Sequence, residues 1–240
     1  MKAFDFSQNW WQFVVIAVVC YFVGCFNFAR LISKIKKRDI TKIGSGNPGT
    51  MNMSREFGLK VGLITFLCDA VKGGSLALIS YFIYRDYYFE DSFVRVSDVT
   101  RYFCGLCVII GHIFPVTMKF KGGKGIASTL GLFWFCLPCE WGWWALICFG
   151  LLVGVVFFIA YTEWGSLGSL LGVSGLSIIQ LVIFFKRYGN VFNAYLVWLY
   201  MLILAINVLT WAAHHQNIAR LFSGEEHHTS VKKLAKKKAK

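Results

Sequence analysis

The segment from Trp10 to Ile32 reads WWQFVVIAVVCYFVGCFNFARLI, and this long apolar stretch decides the class of fold. A helix that crosses a bilayer needs about 20 predominantly apolar residues. The tryptophan pair at the start of the segment is typical of a membrane interface. No small-residue cleavage site follows, and further apolar segments do, so we interpret this segment as a first transmembrane helix and not as a signal peptide.

Similar apolar segments recur through the whole chain. Of its 240 residues, 57% are hydrophobic and only 15% are charged, against about 25% charged in soluble proteins. A soluble fold of this size could not bury so much apolar surface. We predict an all-α, polytopic membrane protein with seven transmembrane helices. The six further spans are predicted at about 61–84, 102–116, 126–139, a segment that ends near 161, 167–185 and 191–212.

The distribution of positive charge predicts the orientation. The net charge is +13, and most of the 25 lysines and arginines fall into three clusters, at 30–60, 119–124 and 220–240. Basic residues concentrate in cytosolic loops, so we expect the N-terminus outside and the C-terminus in the cytosol, and a clustering of this kind argues against nucleic acid as the partner. Termini on opposite sides require an odd number of crossings, so the short segment 126–139 must also cross the membrane.

The domain organisation follows from the same pattern. We expect a single membrane domain at 1–215 with cytosolic loops at 33–58 and 117–125, and a cytosolic end at 216–240 with a lysine-rich tail. The tail is either simply solvated or attracted to anionic lipid, at about 1 kcal/mol per nearby basic residue. The eight cysteines lie in or beside apolar windows, where a free cysteine behaves as a small hydrophobe. We therefore predict no metal site.

The first polar loop has the composition of an anion-binding site. It reads GSGNPGTMNMSREFG from Gly44 to Gly58, and Gly46 lies within a run of closely spaced glycines. Glycine allows the backbone to approach a ligand closely, and successive N–H groups in such a turn can bind an anion. Ser45, Asn47 and Arg55 add polar donors, so we favour a binding function over a flexible linker.

A second polar loop has the appearance of a phosphate cradle. It reads FKGGKG from Phe120 to Gly125 and opens into an apolar helix, whose N-terminus would favour an anion. Gly122, Gly123 and Lys124 are its candidate phosphate-binding residues. The loop is not a Walker A motif, because Met118 occupies the first glycine position and Gly125 follows the lysine.

Two further groups of polar residues border the apolar segments. Asp69 and Lys72 share one face of the second predicted span, where charged residues are costly and are either a structural ion pair or functional. His214 and Asn217 follow the last span at a spacing that also shares a face. By itself, a histidine at such a position is more often a solvated helix end than a functional residue. All these loops, however, are expected at one cytosolic membrane face.

The motifs resemble the PlsY-type acyl-phosphate:glycerol-3-phosphate acyltransferase family over almost the whole chain up to Glu226. Three family motifs match in order and spacing: GSGNxGxxN with its following arginine and glycine, GHxFPV followed by FKGGKG, and HxxNIxRL followed by GxE. Two shorter signatures also match, DxxKG at Asp69–Gly73 and SLxS at Ser166–Ser169. The chain departs from the usual pattern at 25–27, 50–51, Glu163 and Ala213.

The resemblance implies that an acyl group passes from an acyl phosphate to the sn-1 hydroxyl of glycerol 3-phosphate, which makes lysophosphatidic acid for phospholipid synthesis in the cell membrane. It implies no cofactor. It makes Ser45, His214 and Asn217 the catalytic candidates, and either His214 or the substrate phosphate could take the proton. The residues that it implies for phosphate binding are Gly46, Asn47, Arg55, Gly122, Gly123, Lys124 and Ser166. The residues that it implies for a structural or orienting role are Asp69, Lys72 and Glu226.

Two other functions compete with this interpretation. An organic-phosphate transporter would place Asp69 and Lys72 along its path, but its site would lie at the midplane of the membrane. A non-catalytic paralogue would bind acyl phosphate and regulate lipid synthesis. Acyltransferases that use an HxxxxD motif are excluded, because none of the five histidines is followed by aspartate at that spacing.

Overall fold

The computed structural model describes residues 2–90, 92–189 and 193–226. Within these ranges the chain is helical apart from its connecting loops and one small parallel sheet, which the all-α prediction did not include. Its strands are β1 (Lys2–Phe4) and β2 (Tyr87–Phe89). The α-helices are α1 (Phe6–Cys25), α2 (Phe28–Ile35), α3 (Thr50–Phe57), α4 (Leu59–Tyr84), α5 (Val96–Ile113), α6 (Ile126–Cys136), α7 (Trp144–Thr162), α8 (Gly165–Tyr188), α9 (Ala194–Ala212) and α10 (His215–Ser223).

Six helical segments of the described ranges are long and apolar enough to cross a bilayer. They are Phe6–Ile35, Leu59–Tyr84, Val96–Met118, Trp144–Thr162, Gly165–Tyr188 and Ala194–Ala212. Each corresponds to one of the predicted spans, with ends that differ by a few residues. The remaining predicted span is the shorter apolar segment Ile126–Cys139, in which α6 continues into a turn of 3₁₀ helix. The start of the last span, at 191–192, and the tail at 227–240 lie outside the described residues.

The first predicted span is two helices and not one. Asn27 interrupts it, because its side-chain oxygen accepts a hydrogen bond from the Arg30 N–H at 2.8 Å and so caps a new helix. Its amide nitrogen also donates to the Pro48 carbonyl at 3.2 Å. Asparagine competes for backbone groups in this way and favours helix starts over helix interiors. The break directs α2 towards the first motif.

The helices run alternately between two ends of one bundle. The loops 43–58, 117–125 and 213–226 lie at one end, which we call the site end, and the sheet lies at the other. α6 starts beside the end of α5, where Gly125 approaches Ile113. It finishes beside the start of α5, where Arg101 donates to the Cys136 carbonyl at 3.2 Å. The segment Ile126–Cys139 is therefore antiparallel to most of α5.

Close backbone contact fixes α6 against α4. A methyl group added to Gly73 would lie 2.0 Å from the Ser128 carbonyl oxygen, and one added to Gly131 would lie 2.0 Å from that of Ala70. Such distances exclude any side chain at either glycine, so the two helices pack backbone to backbone. This contact sets the position of the second motif, which precedes α6.

A buried ion network holds the opposite end together. Asp98 and Glu140 both bind Arg101 and Arg187, with Asp98 2.8 Å from the first arginine and 2.9 Å from the second. The Tyr188 hydroxyl donates to Asp98 at 2.6 Å. Two carboxylates face two guanidinium groups, so the charges balance within the apolar bundle. The network ties α5 and α8 to the segment that follows α6, far from the three motifs.

Candidate functional site

A cavity of about 1150 Å³ opens at the site end and is lined by residues of all three motifs. One part is polar and is bordered by the loops. The other part is apolar and runs between α4, α6 and α7. The predicted site residues that line the cavity are Ser45, Gly46, Asn47, Arg55, Asp69, Gly122, Gly123, Lys124, Ser166, His214, Asn217 and Glu226.

The first motif is a folded segment and not the plain polar loop that we predicted. Asn52 lies buried at its centre, where its amide nitrogen donates to the Ile43 carbonyl at 3.0 Å and its oxygen accepts from the Ser45 N–H at 3.1 Å. Gly46 has a φ of +70°, a conformation that glycine adopts without strain. The motif then forms α3, which carries Arg55 towards the cavity.

Ser45 and Arg55 meet at the rim of the cavity. The Arg55 guanidinium donates to the Ser45 hydroxyl oxygen at 3.4 Å. Burial lowers the pKa of Arg55, while the nearby Glu226 and Glu56 carboxylates oppose that shift. A guanidinium stays protonated under all such conditions, so this part of the cavity carries a fixed positive charge.

The two glycines of the second motif do not offer free N–H groups. Gly122 donates its N–H to the Ile113 carbonyl at 3.0 Å, and Gly123 donates to that of His112 at 3.1 Å. The expectation that these N–H groups are free is wrong, because they donate to the last carbonyls of α5. Phosphate binding by Gly122 and Gly123 stays a prediction. Glycine is needed for another reason: a methyl group on Gly122 would lie 2.0 Å from the His112 oxygen.

Lys124 supplies the positive charge of the second motif. Its ammonium group donates to the side-chain oxygen of Asn217 in the third motif. Burial lowers the pKa of Lys124 to about 8, with a further contribution from the positive charge of Arg220. The lysine is therefore charged near neutral pH and lies in a region with a surplus of positive charge, as a phosphate site requires.

His214 is held in one orientation at the end of α9. It is 4% exposed, and its Nδ1–H donates to the Thr210 carbonyl at 2.8 Å. A neutral imidazole with its hydrogen on Nδ1 presents Nε2 as an acceptor. Burial lowers the pKa of His214 to about 4, and the hydrogen bond to Thr210 opposes part of that shift. The ring is thus a neutral hydrogen-bond acceptor at physiological pH.

Asn217 uses its whole amide group within the protein. Its nitrogen donates to the Ser166 hydroxyl at 2.7 Å and to the Glu226 carboxylate at 2.8 Å, while its oxygen accepts from Lys124. Ser166 also donates to Glu226, and Arg220 donates to the same carboxylate at 3.1 Å. This chain of contacts fixes the position of the Lys124 ammonium.

Glu226 accepts hydrogen bonds from three members of this group of contacts, Ser166, Asn217 and Arg220. Burial raises the pKa of its carboxyl group, but hydrogen bonds from Ser166, Asn217 and Arg220 together bring the pKa below its usual value. The carboxylate is therefore charged when the other groups bind it. The orienting role that the resemblance implied for Glu226 stays a prediction.

Asp69 and Lys72 form a buried ion pair of 3.1 Å beside the cavity. The Lys72 ammonium also lies 2.9 Å from Nδ1 of His112. The sequence analysis did not select His112 as a site residue, although it is the histidine of the GHxFPV motif. Arg220 was likewise missed as a site residue. Among the residues described, no group of three or more histidine, cysteine, aspartate or glutamate side chains could hold a metal ion.

The family model described as glycerol-3-phosphate acyltransferase matches residues 14–224. The chain belongs to this family. A relative in Mycoplasmopsis pulmonis, named glycerol-3-phosphate acyltransferase, is 35% identical over 86% of this chain and 88% of the relative.

Solved structures agree with the family assignment. The glycerol 3-phosphate form of PlsY, described as an integral membrane glycerol 3-phosphate acyltransferase, superposes with a TM-score of 0.75 at 25% identity over 94% of this chain and all of that chain. The lysophosphatidic acid form of PlsY superposes with a TM-score of 0.71 at 26% identity, covering 90% of this chain and 95% of that chain. The resemblance predicted from the motifs is therefore confirmed.

Proposed function

We propose that the protein transfers an acyl group from an acyl phosphate to the sn-1 hydroxyl of glycerol 3-phosphate. The products are lysophosphatidic acid and inorganic phosphate, and the reaction belongs to phospholipid synthesis. The observation that carries this proposal is the single cavity in which Arg55, Lys124 and His214, one from each motif, lie beside an apolar groove. Family membership supports the enzyme over the transporter and over the non-catalytic paralogue.

The apolar part of the cavity suits the acyl chain of the donor. Leu63 and Phe66 of α4, Leu130 and Trp134 of α6, and Val155 of α7 line it. An apolar groove open to the bilayer lets an acyl chain enter from the lipid and pack against these side chains, while its phosphate end stays in the polar part.

The polar part suits two phosphate groups. Arg55 offers a planar fork that matches phosphate oxygens, and Lys124 offers a point charge. Arg220 adds a second guanidinium that lines the same cavity. We propose that these three cations hold the acyl phosphate and glycerol 3-phosphate together, so that catalysis comes from positioning and from stabilisation of the negative charge that develops. Ser45 and Asn47 at the rim would orient the glycerol hydroxyls.

The reaction forms one bond and breaks another. The sn-1 hydroxyl oxygen attacks the acyl carbonyl carbon, and the bond from that carbon to the phosphate oxygen breaks. We propose that His214 Nε2 accepts a hydrogen bond from the hydroxyl and aims its oxygen at the carbonyl. A general base works best with a pKa near the operating pH, and a pKa of about 4 is too low for that. We propose that the proton passes to the departing phosphate.

Asn217 has a different part in this scheme. All of its polar groups bind other side chains of the protein. We propose that it positions the Lys124 ammonium, with Glu226 and Ser166 holding the amide in place. Asp69 and Lys72, paired and buried behind the second motif, would be positioning residues too.

We also propose seven transmembrane helices, with the segment Ile126–Cys139 as the short one. Its antiparallel course along α5 supports this count, and it returns the chain to the end opposite the motifs. The N-terminus would then lie outside and the site would face the cytosol of a cell membrane. A cysteine at Lys121→Cys should react with a membrane-impermeant reagent only after the cells are permeabilised. Reaction in intact cells would contradict this orientation.

An assay of the purified protein tests the function. With glycerol 3-phosphate and palmitoyl phosphate it should form equal amounts of lysophosphatidic acid and inorganic phosphate, and with palmitoyl-CoA it should form little. Failure with both donors would refute the proposed activity. Equal turnover of the two donors would refute the choice of acyl phosphate alone.

A further inference from the structure

His112 is a buried polar residue at the site that the proposed mechanism does not use. It lies in the last turn of α5, is 4% exposed, and lines the cavity next to the second motif. A buried imidazole normally satisfies both ring nitrogens. Within the described part of the chain, only Nδ1 has a hydrogen-bond partner.

Lys72 determines which ring nitrogen of His112 carries the hydrogen. The Lys72 ammonium lies 2.9 Å from Nδ1 of His112, 2.8 Å from the Phe26 carbonyl, 3.1 Å from the Asp69 carboxylate and 3.3 Å from the Gly24 carbonyl. An ammonium group only donates hydrogen bonds, so Nδ1 must accept. In the neutral imidazole the hydrogen then lies on Nε2.

The Nε2–H group has no hydrogen-bond acceptor among the residues described. It lies against Gly123, where a methyl group would be only 2.3 Å from it. The N–H groups of Gly122 and Gly123 are already donated to carbonyls of α5. The imidazole is therefore a donor without a partner at the point where the second motif meets the cavity.

We propose that the Nε2–H of His112 donates a hydrogen bond to a phosphate oxygen of a substrate, and that Asp69 and Lys72 hold the ring in the tautomer that permits it. The inference rests on the proposed function, because it assigns a new donor to the same site. It also explains why a buried lysine and aspartate stand behind the second motif. The ligand group is a phosphate monoester or an acyl phosphate, and the two are separated by experiment.

Two substitutions at His112 separate a phosphate contact from a packing role. His112→Leu removes both ring nitrogens, and Lys72 keeps its hydrogen bonds to the Gly24 and Phe26 carbonyls and its ion pair with Asp69, so the variant should fold. His112→Gln places an amide N–H near the position of Nε2. A hydrogen bond to a charged group contributes about 1.5–3 kcal/mol. His112→Leu should therefore raise one Michaelis constant about tenfold to a hundredfold, and His112→Gln should restore most of the loss.

The Michaelis constants for the two substrates show which substrate phosphate His112 binds. A rise in the KM for glycerol 3-phosphate alone assigns His112 to the acceptor, and a rise in the KM for palmitoyl phosphate alone assigns it to the donor. Thr100→Val is the matched control and should change neither KM. Thr100 is buried at the other end of α5, and its hydroxyl makes no hydrogen bond. Unchanged KM values in His112→Leu, or a Gln variant no better than Leu, would overturn the proposal.

A binding measurement keeps this test independent of turnover. Inorganic phosphate should raise the thermal unfolding midpoint of the detergent-solubilised wild type, and the rise should be smaller in His112→Leu than in His112→Gln. If the wild type binds phosphate in this manner but makes no lysophosphatidic acid, the proposed function fails and the contact stands. If all three proteins respond alike to phosphate, the contact fails and the proposed function stands.

Discussion

Gly123→Ala tests the loop conformation on which the site depends. The added methyl carbon would lie 2.3 Å from Nε2 of His112 and 3.1 Å from its two neighbouring ring carbons. The imidazole cannot move aside freely, because it is buried and its Nδ1 is held by Lys72 at 2.9 Å. Ordinary contact begins near 3.4 Å, so the loop must shift by roughly 1 Å, and a displacement of about 1 Å can reduce a rate about 100-fold.

We therefore expect kcat/KM for glycerol 3-phosphate to fall about 100-fold in Gly123→Ala. The assay is steady-state release of phosphate from palmitoyl phosphate, at varied acceptor concentration, with purified protein. Gly150→Ala on α7 is the matched control, because a methyl group there meets no atom within 4 Å. A Gly123→Ala enzyme with wild-type kinetics would refute the packing of the second motif against His112.

Three further predictions concern charge. Lys124→Ala should raise the KM for glycerol 3-phosphate about tenfold to a hundredfold, since a charge-assisted contact contributes about 1.5–3 kcal/mol. Lys237→Ala in the tail is the control. An unchanged KM in Lys124→Ala would show that the phosphate does not bind at this loop. Because the pKa of Lys124 is lowered to about 8, its positive charge is present below that pH and lost above it. kcat/KM should therefore fall about tenfold between pH 7 and pH 9, and Lys124→Arg should keep its activity at pH 9. Glu140→Gln should lower the free energy of unfolding by about 3–5 kcal/mol, as the loss of one partner does in a buried ion network. Thermal unfolding in detergent measures this effect, and Glu90→Gln, at an exposed position, is the control. An equal unfolding midpoint in both variants would contradict the stabilising role of the network.

The membrane class and the positions of the helices could be predicted from sequence because they depend on local composition. A bilayer requires an uninterrupted apolar stretch in each crossing, and the segments that met this requirement became α4, α5 and α7 to α9. The prediction failed where one side chain acts on a nearby backbone. Asn27 caps a new helix within an otherwise apolar stretch, and the polar stretch after Gly49 folds as α3.

For the candidate site too, some features could be predicted from sequence and others could not. Glycine, lysine and arginine in short motifs predicted an anion site, because those residue types suit phosphate in any fold. Sequence alone could not foresee that the N–H groups of Gly122 and Gly123 would be consumed by the end of α5. The accepting carbonyls, of His112 and Ile113, belong to the same motif, but the motif does not show that α5 ends there.

The sequence by itself determined that this is a multi-helix membrane protein with three phosphate-type motifs of one family. Only the tertiary structure decided which side chains meet. Lys124 binds Asn217, 93 positions later, and Lys72 binds His112, 40 positions later. Contacts at such separations arise from helix packing, here the backbone contact between α4 and α6 that Gly73 and Gly131 permit. The tautomer of His112 and the orientation of Asn217 follow from that packing, because a buried polar group takes the partners that the neighbouring helices bring to it.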